Sequence, residues 1–363
     1  MRQLICLRSI LGIAVVISLF TACSGTGSKT MPPVGLTSEA VHGGSRAQLL
    51  VGGPLASPGV IAPSGGTNAQ AESHWLSHLT SSIPLNIAVL YVSGANCSCV
   101  LVYSQRGRDQ APIGIIRGLI NPRGLFVDKE GELYVANSAA HGVMIYEEGD
   151  FSKPVETLTG TVHPSDVTRD GDDHYGTIYV VNQNDANGGP GNISVYANGS
   201  TNPTSYLDTH ANSFIDSVAL DAKHNLFAGY GDQSGVAHID EFKNGSTQPI
   251  QLPAALGYTG GIEVDNTHDL LVADPDFFNG QNAPAVDIFS IVRKRPEFQF
   301  GEEGWPYYVA VTKREQHMYV SDARLLQVRE YTYPGGVLLD TITKGFENGN
   351  YPIGVAVAHP GPL

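Results

Sequence analysis

From about residue 87 to the C-terminus, short apolar runs alternate with Gly, Pro, Asn and Asp. The runs are rich in Val, Ile, Tyr and Phe and too short for helices. They read as β-strands joined by tight turns. They also recur in a fixed order. One unit reads Pro122-Arg123-Gly124-Leu125-Phe126-Val127-Asp128, then Gly131-Glu132-Leu133-Tyr134-Val135-Ala136-Asn137, then Gly142-Val143-Met144-Ile145-Tyr146. Equivalent runs begin at Pro164, Asp216, Gly261 and Pro306. The matching positions Asp128, Asp170, Asp221, Asp265 and Thr312 stand 42, 51, 44 and 47 residues apart, the length of a four-stranded propeller blade. Asn198-Gly199, Asn244-Gly245 and Pro334-Gly335 fall between third and fourth strands, and Asn-Gly supplies the positive φ angles of a tight hairpin.

Five repeats are complete, and the two ends carry the parts of a sixth. Pro352-Ile353-Gly354-Val355-Ala356-Val357 repeats a first strand, while 87–93, 100–103 and 113–116 repeat a second, third and fourth. Joining them closes a ring and removes exposed strand edges. The expected fold is all-β: a six-bladed β-propeller with one blade shared between the N- and C-terminal strands. The Pro-x-Gly-Leu-x-Val-Asp, Leu-Tyr-Val-Ala-Asn and Val-x-Ile-Tyr units resemble NHL-repeat and related six-bladed propeller families over about residues 87–358. The resemblance implies the fold and a broad loop-rich face. It implies no single activity, because fold alone does not give function.

The N-terminus reads differently. Arg2 and Arg8 flank the start of an apolar run, 10–20, with the shape of a secretory signal. Leu19-Phe20-Thr21-Ala22-Cys23-Ser24-Gly25 resembles the bacterial lipobox, in which the cysteine is lipidated and becomes the mature N-terminus. Ser24 in the next position resembles outer-membrane sorting in bacteria with two membranes. Residues 1–22 are therefore expected to be a lipoprotein signal peptide, and 23–80 a Gly/Ser/Pro-rich tether with no core of its own. Residues 81–363 form the propeller. The expected location is extracytoplasmic, anchored to a bacterial membrane through lipid on Cys23 alone. Within the tether, 71–79 includes His74, Trp75, Leu76 and His78 and reads as a short docking segment.

Composition narrows the partners. The net charge of −14 becomes −16 once residues 1–22, with two Arg and no acid, are removed. A body this acidic repels phosphate backbones, which argues against nucleic acid and against electrostatic docking on anionic lipid. Beyond the leader only Cys97 and Cys99 remain. A bond between residues two apart is geometrically uncommon, so two small side chains in a loop are expected.

In propellers of this type the second-to-third and fourth-to-first strand loops share one face, around the channel mouth. Two such loops read as long, 182–191 and 274–285, and long loops commonly carry binding. Candidate channel-mouth residues are Arg123, Asp166, Asn182, Asp216, Asp274 and Tyr307. Asp166, Asp216, Asn182 and Asp274 are oxygen donors of the kind Ca²⁺ takes, although Asp and Asn also cap turns. Six-bladed relatives include metal-dependent lactonases. Their ligand Glu lies near the chain start, where this sequence has none, and Glu263 is the sole Glu inside a first strand. No catalytic residue carries over. His163 and His210 precede first strands and read as exposed loop residues. The expected function is a binding module for a protein, peptide or glycan; the alternative is a Ca²⁺-dependent propeller hydrolase or lyase such as a lactonase.

Overall fold

A computed structural model describes residues 78–358, apart from 86, 172–175, 198, 211–213, 233–235, 255, 276–283, 302–303 and 313. The signal peptide, Cys23, His74, most of the tether, the Asp172-Asp173 turn and most of the 274–285 loop lie outside the described residues.

Strands β1 (Val89–Gly94) to β24 (Pro352–Ala358) build six antiparallel four-stranded sheets. Blade I joins β24 to β1, β2 (Cys99–Ser104) and β3 (Gly114–Ile116). Blades II to VI follow in chain order as β4–β7 (122–158), β8–β11 (164–207), β12–β15 (214–251), β16–β19 (262–301) and β20–β23 (306–342). The protein is a six-bladed β-propeller. Its ring closes in blade I, where Leu90 pairs with Val357 and Val92 with Val355, 267 and 263 residues apart in the chain. The innermost strand of each blade packs on that of the next, from β24 through β4 (Pro122–Val127), β8 (Pro164–Arg169), β12 (Phe214–Leu220), β16 (Ile262–Val264) and β20 (Pro306–Val311) back to β24.

The unbroken apolar runs now have a reason. A strand with one wet face alternates apolar and polar residues, whereas a strand buried on both faces does not. In β1, Leu90 and Val92 pack into blade VI with Tyr319, Val328 and Phe346, while Val89 and Tyr91 pack into blade II with Leu133, Val135 and Tyr146. Period-two geometry thus assigns alternate residues to different neighbours. Each fully buried side chain of this kind contributes about 1.5–3 kcal/mol.

The repeated Asp sets the turn between first and second strands, on the face away from the mouth. Asp128 accepts from Glu132 N–H (2.9 Å), Asp221 from Asn225 N–H (2.9 Å) and Asp265 from Asp269 N–H (2.8 Å). Thr312 does the same through its hydroxyl.

Two local expectations change. β9 (Ile178–Asn184) and β10 (Pro190–Tyr196) run further than the sequence pattern indicates, so the 182–191 loop is mostly hairpin. Its tip is held by Asp185 Oδ1, which accepts from Asn187 and Gly189 N–H. Cys97 and Cys99 form a disulfide. Ser98 between them has φ 49°, which folds the backbone back and brings the two Cα atoms to 5.1 Å, within disulfide reach.

Between blades II and III, Arg169 Nη1 pairs with buried Asp128 and donates to Tyr134 Oη (2.7 Å). Removing one partner of a buried pair strands the other charge, at about 3–5 kcal/mol. Arg169→Ala is expected to lose that much in urea unfolding, while the double change Arg169→Met with Asp128→Asn, which removes both charges and keeps an acceptor for the Glu132 N–H, recovers part of it. A loss below about 1 kcal/mol in the single variant would refute the role of the pair.

Candidate functional site

Every blade offers the axis the same two positions, just inside the mouth. The inner one is held by Gly124, Asp166, Ser217, Gly261, Tyr308 and Gly354; the outer by Arg123, Ser165, Asp216, Gly260, Tyr307 and Ile353. The ladder is interrupted here by bulges between first and second strands at Pro122/Leu125, Pro164/Asp166, Ile215/Ser217 and Pro306/Tyr308. Bulges re-aim side chains at barrel rims.

Tyr308 closes the channel. It starts in blade VI, and its hydroxyl donates to Ser165 O at 2.9 Å in blade III, directly opposite in the ring. Its neighbours must be small. A Cβ on Gly261 would lie 2.2 Å from the Tyr308 ring, and one on Gly124 would lie 2.1 Å from Asp166 Oδ1.

Above Tyr308, a polar chain crosses three blades. Arg123 Nη1 donates to Gln183 Oε1 (3.1 Å), and Gln183 Nε2 donates to Asp216 Oδ1 (3.1 Å). Tyr258 stands beside it, stacked on Phe214 at 5.9 Å between ring centroids. Burial works against the charge of Arg123, but Tyr307, Asp216, Tyr308 and Tyr258 surround it and hold its pKa above the ordinary value, so it stays a guanidinium. Burial, with the charge of Asp216, raises the Tyr258 hydroxyl well above the usual tyrosine range.

Below Tyr308 lies a cavity of about 80 Å³, lined by Asp166, Thr168, Glu263, Val218 and Val355 among others. That is room for a few water molecules. Asp166 Oδ2 accepts from Val218 N–H (3.0 Å). Burial raises the Asp166 carboxyl well above the carboxylate range, against the backbone N–H groups of Val218 and Val167 and aided by Glu263 and Asp216. Glu263 is pushed up to about 8 by burial and then by the charge of Asp265.

Of the six candidate residues, Arg123, Asp166, Asp216 and Tyr307 meet at the axis. Asn182 and Asp274 do not. Asn182 Oδ1 accepts from Val162 N–H (2.8 Å), and Asp274 accepts from Gly257 N–H (2.7 Å) and Tyr258 N–H (2.9 Å). Asn137 holds Ile120 N–H and Asp322 holds Trp305 N–H in the same way. In blades II, III, V and VI this Asn or Asp stands at or near the end of the second strand and latches the crossover arriving from the previous blade. The proposed oxygen set is therefore divided between latches and axis, with Asp166 and Asp216 already accepting from Val218 and Gln183. These four do not form one Ca²⁺ shell, and no three His, Cys, Asp or Glu converge among the described residues. His163 faces Asn184 Oδ1 (3.0 Å) and His210 faces Asp240 Oδ1 (2.9 Å), both in rim loops. Gln183, Tyr258 and Tyr308 complete the site and were not singled out by the sequence. For Tyr308 a signal existed: it is the one large residue at a repeat position otherwise held by Gly, Asp and Ser.

No family model matches the chain, and no curated protein matches it by sequence. Among solved structures it is similar to the Kuenenia stuttgartiensis Hydrazine Synthase. The TM-score is 0.54 at 15% identity, covering 79% of this chain and 92% of that one. At that identity the similarity shows the shared propeller fold.

The lower cavity makes a pH prediction. Glu263 has an ordinary value of 4.5 and a folded value of about 8. Between the two, the folded state holds a proton that the unfolded chain has released. Stability therefore falls as pH rises through that window and levels off above it. Glu263→Gln is expected to flatten part of the fall and to exceed the wild type by about 2 kcal/mol or more at pH 8, at about 1.4 kcal/mol per pH unit. Parallel melting curves for the two proteins from pH 5 to 8 would show that Glu263 is not the titrating group.

Proposed function

We propose that this chain is an extracytoplasmic, lipid-anchored NHL-type propeller that acts as a binding module through its channel mouth. The anchor is carried by the lipobox-like run ending at Cys23, and the NHL reading by the repeat units. The binding reading is carried by one observation. The Arg123–Gln183–Asp216 chain at the axis is bordered on the same face by exposed Trp305 (36%), Tyr351 (40%), Leu325 (41%) and Ile120 (55%). Trp305, Tyr351 and Ile120 lie on the crossovers entering blades VI, I and II, and Leu325 in the second-to-third strand loop of blade VI. Arg, Trp and Tyr are the residue types enriched in binding hot spots. With Tyr308 plugging the axis beneath, a ligand meets a closed floor. It fits a protein loop, peptide or glycan that lays polar groups on Arg123 and Asp216 and an apolar face on Trp305 and Tyr351.

Two experiments test this. Peptide and glycan arrays probed with the purified chain are expected to yield ligands whose binding drops at least about tenfold in both Arg123→Ala and Trp305→Ala. Ligands bound equally by both variants would move the binding site elsewhere. Metabolic labelling with an alkyne fatty acid is expected to mark the wild type and not Cys23→Ser. An unlabelled wild type in the bacterial host would remove the anchor.

A further inference from the structure

First strands run away from the mouth, so first-to-second and third-to-fourth turns lie on the opposite face. There, three consecutive blades carry cations in a chain whose net charge is −14. The blade V turn joining β18 (Ala285–Ser290) to β19 (Arg295–Gly301) exposes Val292, Arg293, Lys294 and Arg295. Blade VI adds exposed Arg314 and a turn with Val337 and Leu338, and blade I adds exposed Arg106 and Arg108. Val292 is 69% exposed, Val337 60% and Leu338 51%. Hydrogen bonds tie the three blades together. Asp109 N–H donates to Asp340 Oδ2 (2.9 Å) and Thr343 N–H to Asp109 Oδ1 (2.8 Å), tying blade I to blade VI. Tyr333 Oη donates to Asp265 Oδ2 (2.6 Å) and Asn266 N–H to Glu315, tying blade VI to blade V. Those four acids already accept from local donors.

The N-terminal segment enters from the same side. Thr80 bridges Gly114 on the outer strand of blade I, Ser82 bridges Asp150 at the blade II turn, and Gln105 N–H donates to Ala88 O before β1 rises toward the mouth. Leu85 is 59% exposed on this path.

We propose that this face docks on an anionic phospholipid surface. Arg106, Arg108, Arg293, Lys294, Arg295 and Arg314 lie over the lipid phosphates, with Val292, Val337 and Leu338 at headgroup depth. The inference rests on the lipid-anchor reading and deepens it: the anchor delivers the propeller to the membrane, and the cationic face turns the mouth outward. The six cations outnumber the four acids named among these turns, and acids further away than about 8–10 Å are screened at physiological salt. Each cation near an anionic surface adds about a fivefold gain in partitioning, and an exposed Val beside it adds apolar insertion.

The chain from Ser24 to Leu363 lacks the acyl group and retains every described contact. It is spun down with phosphatidylcholine vesicles containing about a third phosphatidylglycerol, and with phosphatidylcholine alone, at about 0.1 M salt. At least about tenfold tighter binding to the anionic vesicles is expected. The triple change R293E/K294E/R295E is expected to remove at least about tenfold of it, and Val292→Asp a smaller share. Arg324→Glu, an exposed charge on the mouth face, is expected to leave it unchanged. Equal partitioning onto both vesicles, or an intact signal in the triple variant, overturns the proposal. So does capture of the patch by a soluble protein with no vesicle binding. Arg123→Ala leaves vesicle binding intact and the triple variant leaves mouth ligands bound, so failure of one reading is not mistaken for failure of the other. Melting curves confirm that these surface variants fold.

Discussion

Six strands converge on one axis, and the space there admits about one aromatic ring. The rest of the centre follows from that limit. If one blade supplies Tyr308, its immediate neighbour must supply Gly261, because a Cβ there would sit 2.2 Å from the ring. With Asp166 turned inward from blade III, blade II must supply Gly124. The inner position of the repeat is thus a shared allotment of volume rather than six independent choices. Its consequence is a partition. Above Tyr308 the charged groups are hydrogen-bonded at the mouth; below it, Asp166 and Glu263 line a small cavity, and burial makes both carboxyls hold their protons more tightly than usual.

Ring closure carries a comparable constraint at the periphery. Blades pack face to face, so the second and third strands are buried on both sides and cannot signal a wet face by alternation. What keeps the blades in phase is polar. In blades II, III, V and VI an Asn or Asp at or near the end of the second strand latches the incoming crossover, and Asp128, Asp221, Asp265 and Thr312 form the turns after their first strands. Blade I has a variant of this latch. There Asn350, on the crossover, accepts from Cys97 N–H (3.1 Å), while Ser93 Oγ bridges Gly354 N–H and Arg123 O at 2.7 Å each. The closing blade therefore binds its neighbour through groups drawn from both ends of the chain.

This explains which parts of the molecule were legible in the sequence. The blade count was, because hydrophobic runs and turn residues recur at near-constant spacing. Arg123, Asp166, Asp216 and Tyr307 were legible as axis residues because they stand at the entries of first strands. Asn182 and Asp274 look like site residues when each loop is read alone. Aligned with Asn137 and Asp322 they become latches, since a repeated polar residue at a strand end answers a repeated backbone donor. Tyr308 stands out only once the repeats are aligned, as the one large residue at its position, and Gly261 only through Tyr308, because the two matter through each other across a blade boundary. The Cys97–Cys99 bond was hidden because residue spacing says nothing about the left-handed Ser98 that brings the pair together.

Charge distribution is the remaining level, and net charge describes it poorly. An overall value of −14 argues against any anionic partner only if its field is felt everywhere. In salt, a surface is read over about one Debye length. Within that distance, the face that receives the N-terminal segment presents Arg106, Arg108 and the Arg293-Lys294-Arg295 turn, while the mouth presents a guanidinium balanced by Asp216. Two faces of one small ring thus meet their surroundings with different chemistry. The outer turns, which the core constrains least, are free to carry the charge that the axis cannot.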